Sequence, residues 1–177
     1  MAASDIEHHA DYSNATFESK EEALVHLIDS YKALANEQDN FICNLANASS
    51  LLWYTYKELK VNVNWTGFYF TDPKRKDHLI LGPFQGKVAC QLIKFGKGVC
   101  GTAASTKKSI VVQNVNEYPG HIACDGETKS EIVVPIIVNG ATVAVIDLDC
   151  LDYNAFDDID RKYLGQLANA IASSCVF

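Results

Sequence analysis

The chain has 177 residues, 48% of them apolar and 21% charged, which is the composition of one compact domain with a full core and excludes disordered, collagen-like or low-complexity architecture. Fifteen basic against 22 acidic side chains leave a formal net charge of −7, which argues against nucleic acid and anionic membrane surfaces as partners. No apolar run approaches the roughly 18 residues that span a bilayer. The N-terminus has neither the basic start nor the apolar stretch of a secretory signal. The six cysteines, Cys43, Cys90, Cys100, Cys124, Cys150 and Cys175, are therefore expected as mostly reduced thiols serving packing, metal binding or redox chemistry. The Asn-x-Ser/Thr triplets at Asn14, Asn47 and Asn64 are then expected to have no glycosylation role.

Residues 1–18 are polar and unpatterned and read as a flexible arm, with His8 and His9 too few for a metal site, leaving 19–177 as the folded domain. Ser19-Lys20-Glu21-Glu22 reads as a capping box, and Leu24, Leu27, Ile28, Tyr31 and Leu34 follow at helical spacing, predicting a helix over about 20–36. Phe41, Leu45, Ala48, Leu52 and Leu59 predict a second helix to about 60. Strands are expected over 64–71, 78–82, 88–95 and 109–112, with a short helix over 98–106 opened by glycines. Residues 113–128 form a long irregular segment, and loops of that length in a compact domain tend to be functional. Asn139-Gly140 between two β-rich runs, 130–138 and 141–149, predicts a hairpin, because both residues tolerate the positive φ of a type I′ turn. Asp157, Asp158 and Asp160 then open a final helix carrying Leu164, Leu167, Ala168, Ile171 and Cys175. Two helices, antiparallel strands and a closing helix make an α+β domain with a central antiparallel sheet.

Three constellations carry chemistry. Gly96-Lys97-Gly98-Val99-Cys100-Gly101 matches G-x-G-x-x-G, but an antiparallel hairpin follows where a dinucleotide fold requires a second parallel strand. The glycines more readily place Cys100 at a helix N-terminus, where the dipole favours a thiolate; the alternative is a small buried cysteine. Cys124 lies in the long loop with no stripe to bury it, so it can meet a second thiol, Cys90 or Cys100 being nearest upstream, once the Cα atoms come within about 7 Å. Cys43 and Cys175 fall in helices and Cys150 ends an apolar strand, so all three are assigned to core packing; His121 can either lower the thiol pKa of Cys124 or, as is expected of a lone loop histidine, be solvated. Asp147 and Asp149 share one face of a strand that looks covered on both sides, with Val143 and Val145 on one and Ala144 and Ile146 on the other. A strict two-residue turn pairs Glu131 with Leu148 and turns it away from them, unless Pro135 marks a bulge that re-aims it. Trp65 and Tyr69 can wall a small ligand or simply fill the core.

Asn64-Trp65-x-Gly67-Phe68-Tyr69, the run 81–90 with Cys90, Gly96 to Gly101 with Cys100, Tyr118 to Asp125 with Cys124, Ser130 to Pro135 and Ile146-Asp147-Leu148-Asp149 together resemble the free methionine-(R)-sulfoxide reductases, catalytic members of the GAF domain family, and most closely their fungal members. The resemblance covers nearly the whole chain after the N-terminal arm. It implies a single GAF domain that reduces the R epimer of free methionine sulfoxide to methionine. A thiolate attacks sulfur, an acid among Glu131, Asp147 and Asp149 protonates the leaving oxygen, and a second cysteine resolves the sulfenic acid to a disulfide. The other carboxylates would hold the substrate ammonium, and Trp65 and Tyr69 the S-methyl group. By resemblance Cys124 is the nucleophile, with Cys90 or Cys100 resolving, although the helix-terminus argument makes Cys100 the more acidic thiol. No bound cofactor or metal is implied. The resemblance further implies thioredoxin as the external reductant, a cytoplasmic setting with the nucleus as a second one, a part in the oxidative stress response, and a homodimer as an open option. A non-catalytic GAF sensor of small molecules is the alternative of a different class. A dithiol oxidoreductase acting on proteins would need a Cys-x-x-Cys pair, which is absent from the sequence.

Overall fold

The structure, a computed structural model of the chain, describes residues 15–122 and 124–177. His8, His9, Asn14 and most of the expected arm lie outside the described residues. Helix α1 spans Lys20–Leu34, with Ser19 accepting the Glu22 backbone N–H. The reciprocal bond differs from a capping box, because the Glu22 side chain reaches back to the backbone N–H of Glu18 rather than of Ser19. Helix α2 spans Phe41–Glu58 behind the N-cap Asn40. The strands are β1 (Val63–Thr71), β2 (His78–Gly86), β3 (Leu92–Lys94), β4 (Ile110–Val112), β5 (Ser130–Val138) and β6 (Ala141–Cys150). Helix α3, Gly98–Thr106, follows β3, and α4, Asp158–Ser174, closes the chain. No helix among the described residues is long and apolar enough to cross a membrane.

The strands form one antiparallel sheet in the order β3-β2-β1-β6-β5-β4. One face is covered by α1, α2 and α4 around Tyr31, Tyr56, Phe68, Ile132, Ile146 and Leu164. The opposite face carries α3 and the connecting loops over a smaller core that includes Trp65, Tyr69, Val99, Cys100, Val133 and Val145. The helical layer is tied at the start of α4 by Asp160, which is fully buried. Its carboxylate accepts from the Tyr56 hydroxyl at 2.7 Å, Lys20 Nζ at 2.8 Å and the Asp157 backbone N–H at 2.8 Å. Three donors meet the requirement that a buried charge be paired.

Bulges decide which side chains face the loops. The β5–β6 turn has the expected positive φ at Asn139 (50°) and Gly140 (77°). The register then slips between Ile136↔Ala144 and Ile137↔Thr142, so Val143 is an extra residue on β6. Above it Glu131 lies opposite Asp149, and Val133 opposite Asp147. The irregularity is thus real, but it sits at Val143 and not at Pro135, which pairs in register with Val145. Val143 accordingly packs with the helical core, away from Val145. Between Val63↔Cys150 and Trp65↔Asp149, Asn64 is the extra residue on β1. Two further expectations change. Strand β2 continues to Gly86 through a third irregularity opposite Phe68, at Gly82-Pro83, where β3 no longer pairs with it. Strand β3 is only three residues long. Residues 88–90 are therefore loop, with Val88 at 88% exposure.

A one-residue slip sends a strand's side chains to the opposite face. Deleting Val143 should therefore abolish cooperative thermal unfolding, because Glu131 would be driven into the helical core. Val143→Ala, which keeps the residue count, should cost only about 1 kcal/mol in the same measurement.

Candidate active site

The loop-bearing face of the sheet opens into a pocket of about 550 Å³ including its mouth. Its floor is built from β5 and β6, which bring Glu131, Asp147 and Asp149 to one side. Its wall is β1: Trp65 lies across from Asp149, Gly67 across from Asp147 and Tyr69 across from Val145. The Trp65 ring stacks on Tyr69 (centroids 5.7 Å apart) and on Phe84 (5.2 Å). Gly67 is required for this, since a β-carbon there would stand 2.4 Å from Phe84 Cβ and 2.8 Å from the Trp65 ring. Trp65 Nε1–H donates to the Lys87 carbonyl at 3.2 Å, tying the aromatic wall to the loop that carries Cys90.

The glycine-rich run positions α3 against this pocket, and the strands that follow, β4, β5 and β6, pair antiparallel, not parallel as a dinucleotide fold requires. Gly96 and Gly98 take positive φ, 80° and 60°, and a β-carbon at Gly101 would fall 2.3 Å from the Lys94 carbonyl oxygen. Cys100 is thereby placed in the first turn of α3 and buried at 4% exposure. The expected acidic thiol is not found. Burial, then the nearby charges of Asp147 and Glu131, push the Cys100 thiol well above its ordinary value. A helix terminus contributes about 1 kcal/mol in favour of a thiolate, too little against desolvation next to carboxylates.

The carboxylates respond in the same way. Burial pushes Glu131 up to about 7 from an ordinary 4.5; the hydrogen bond from His121 opposes this and the charge of Asp149 adds to it. Asp147 is raised by burial and by Glu131, and Asp149 by burial and by Asp147. At neutral pH the floor therefore keeps protonated carboxyl groups. His121 is not solvated as expected. It is partly buried, with Nε2 3.1 Å from Glu131 Oε2. Its position in an unpatterned loop carried no sign of this contact.

Cys90 and Cys124 form a disulfide across the mouth, with Cα atoms 5.7 Å apart. Cys124 lines the pocket and is exposed, and the Cys90 backbone N–H points to its Sγ at 3.3 Å. Of the two upstream candidates it is thus Cys90 that meets Cys124, and Cys100 remains a free thiol below them. Cys150 is buried as expected. Cys43 is exposed on α2 rather than packed in the core, and Cys175 is the half-buried C-cap of α4 beside the Tyr31 hydroxyl.

The two cysteine loops are fastened by polar contacts that sequence patterns left unassigned. Lys87 pairs with Glu127 and, at 3.4 Å, with Asp125. The bulged Asn64 donates to Asp125 at 3.2 Å and to Thr128 at 3.0 Å. Asp125 is held below the usual carboxylate range, chiefly by the Glu127 backbone N–H and further by Asn64 and Lys87. Nothing in residue spacing relates Lys87 to Asp125; only the close approach of the loops does.

The GAF domain family model matches residues 24–174. The chain is 60% identical over 179 residues to the free methionine-R-sulfoxide reductase of Saccharomyces cerevisiae, covering 100% of this chain and 99% of that one. It is 40% identical over 149 residues to the free methionine-R-sulfoxide reductase of Escherichia coli, covering 84% and 86%. A crystal structure of free methionine-R-sulfoxide reductase from Neisseria meningitidis in complex with its substrate superposes with a TM-score of 0.82 at 34% identity, covering 90% of this chain and 92% of that one.

Two outcomes follow from the geometry. A carboxyl raised in the folded state stays protonated while the unfolded chain ionises, so between about pH 4.5 and 7 the unfolded state binds fewer protons and stability falls as pH rises. Glu131→Gln should flatten this decline in denaturant titrations across that range. Lys87→Ala should slow re-formation of the Cys90–Cys124 disulfide several-fold when the reduced protein is treated with a chemical oxidant, read by rapid quench and thiol labelling.

Proposed function

The chain belongs to the free methionine-(R)-sulfoxide reductases of the GAF domain family, and on that premise we propose the route by which its pocket carries out their reaction. It is an oxidoreductase that reduces the R epimer of free methionine sulfoxide to methionine. In our reading Cys124 is the nucleophile. It combines exposure with a place in the pocket lining, whereas Cys100 is buried and held protonated by its acidic surroundings.

The Cys124 thiolate attacks the sulfoxide sulfur while a protonated carboxyl of the floor delivers its proton to the sulfoxide oxygen. Without that proton the oxygen would have to leave as an oxide, at prohibitive cost. Glu131, pushed up to about 7, suits the donor role at neutral pH, and His121 at 3.1 Å can return the proton. Oxygen passes to Cys124 as a sulfenic acid and methionine leaves. The Cys90 thiol then attacks the sulfenic sulfur, forming the disulfide and releasing water. Two thiols are oxidised as one sulfoxide is reduced, so the electrons balance. Asp147 and Asp149 receive the substrate ammonium, which a peptide-bound residue lacks, and the stacked Trp65 and Tyr69 receive the S-methyl group.

The observation that carries this reading is the Cys90–Cys124 disulfide at the mouth of a pocket floored by three carboxylates. Its accessibility suits recycling by an external dithiol protein such as thioredoxin. NADPH consumption with thioredoxin and its reductase should appear with the free R epimer and not with the S epimer or with sulfoxide inside a peptide. A small-molecule sensor would give none with any of them. In single-turnover assays without reductant, Cys124→Ser should release no methionine and Cys90→Ser about one equivalent per chain, because the sulfenic acid forms before resolution. Methionine release by Cys124→Ser, with loss in Cys100→Ser, would exchange the two roles.

A further inference from the structure

The pocket floor holds a donor set that includes a thiol, Cys100, which the reduction route does not use. Cys100 Sγ and one carboxylate oxygen each from Glu131 and Asp147 lie within 4.8 Å of one another, and all three residues are buried. Asp147 Oδ1 is buried without a hydrogen-bond partner among the described residues. We propose that Cys100, Glu131 and Asp147 form an inhibitory binding site for a borderline-soft divalent cation of the Zn²⁺ type.

The donor chemistry selects that class of ion. Mg²⁺ and Ca²⁺ take oxygen ligands and gain little from a thiolate, whereas Zn²⁺ accepts thiolate and carboxylate together at about 2.3 and 2.0–2.2 Å. A tetrahedral centre with those bonds holds its donors roughly 3.5 Å apart, so the trio closes onto an ion by side-chain rotation with no movement of the strands. The three donors come from α3, β5 and β6, elements already packed together. His121, with Nε2 3.1 Å from Glu131 Oε2, fixes the orientation of that ligand as an outer partner. The fourth position opens on the pocket.

Electrostatics act in the same direction. The burial and mutual repulsion that keep these groups protonated are relieved by a dication, which displaces the Cys100 thiol proton and the carboxyl protons into solvent as it binds. An occupied site has no Glu131 proton for the sulfoxide oxygen and leaves Asp149 alone of the two aspartates for the substrate ammonium. The binding claim stands on the trio alone; the inhibitory claim rests on the reaction proposed above.

The test uses the protein in its disulfide form, where Cys100 is the thiol left lining the pocket. Titration with Co²⁺ should bind one equivalent per chain and give a near-ultraviolet thiolate-to-cobalt charge-transfer band that Zn²⁺ abolishes. Cys100→Ser should remove the band, Asp147→Asn should weaken binding at least tenfold, and Cys43→Ser should change neither. Absence of the band, or its survival in Cys100→Ser, would overturn the site. For inhibition, Zn²⁺ should suppress the single turnover of Cys90→Ser protein, which lacks the dithiol at the mouth, and a chelator should restore it. Full turnover with saturating Zn²⁺ would overturn the inhibitory role. No turnover by the metal-free protein counts against the reaction and leaves the cobalt titration to decide the site.

Discussion

Three carboxyl groups stand on one side of two adjacent strands, and the imidazole of His121 lies at hydrogen-bonding distance from one of them, Glu131. Ionising all three in that desolvated place would cost far more than it returns, so the floor retains protons at neutral pH. Much of the rest of the pocket is arranged around that condition. The same protons that make the floor costly to ionise make it an acid, and an arriving ammonium or dication finds carboxylates that gain by losing them. The pocket thus keeps protons on carboxyl groups at neutral pH through the electrostatics of burial.

That floor depends on the sheet having two differently built faces. Toward α1, α2 and α4 the strands present Phe68, Ile132, Ile146 and Leu148 to a continuous apolar core, with Asp160 as a fully partnered exception. Toward the loops they present the acids, a glycine and two aromatic rings. The rigid face holds the strands in place, and the loop face is left to carry chemistry. The mouth is then closed by the two cysteine loops, held by the Lys87 contacts to Asp125 and Glu127 and by the bulged Asn64.

The three pocket cysteines separate by environment and not by position in the chain. Cys100 has the helix terminus that would ordinarily favour a thiolate, yet burial beside carboxylates outweighs a dipole of about 1 kcal/mol. Cys124 and Cys90 sit on loops, where the chain can bring them together and solvent or a reductase can reach them. An exposed and a half-buried cysteine that pair at the mouth and a buried neutral thiol beside the carboxylates therefore come from one residue type at three depths.

Much of the architecture was legible in the sequence. The helical stripes, the Asn139-Gly140 turn and the glycines around Cys100 are local signals, and each is set by backbone sterics or by a hydrophobic period that a few neighbouring residues suffice to express. The aspartates two apart on β6 and the aromatic pair on β1 were visible for the same reason, since a strand puts alternate residues on one face. Local signals fail where a feature is a relation between distant segments. A single inserted residue, Val143, turns Glu131 to join the aspartates, and Val143 looks like any other strand valine. The His121–Glu131 and Lys87–Asp125 contacts join segments with no shared pattern. The acidity of Cys100 depends on carboxylates that approach it only after β5, β6 and α3 have packed. Residue identity and spacing thus determined which groups were available, and tertiary packing alone decided which of them meet, because burial and register are properties of the assembled sheet.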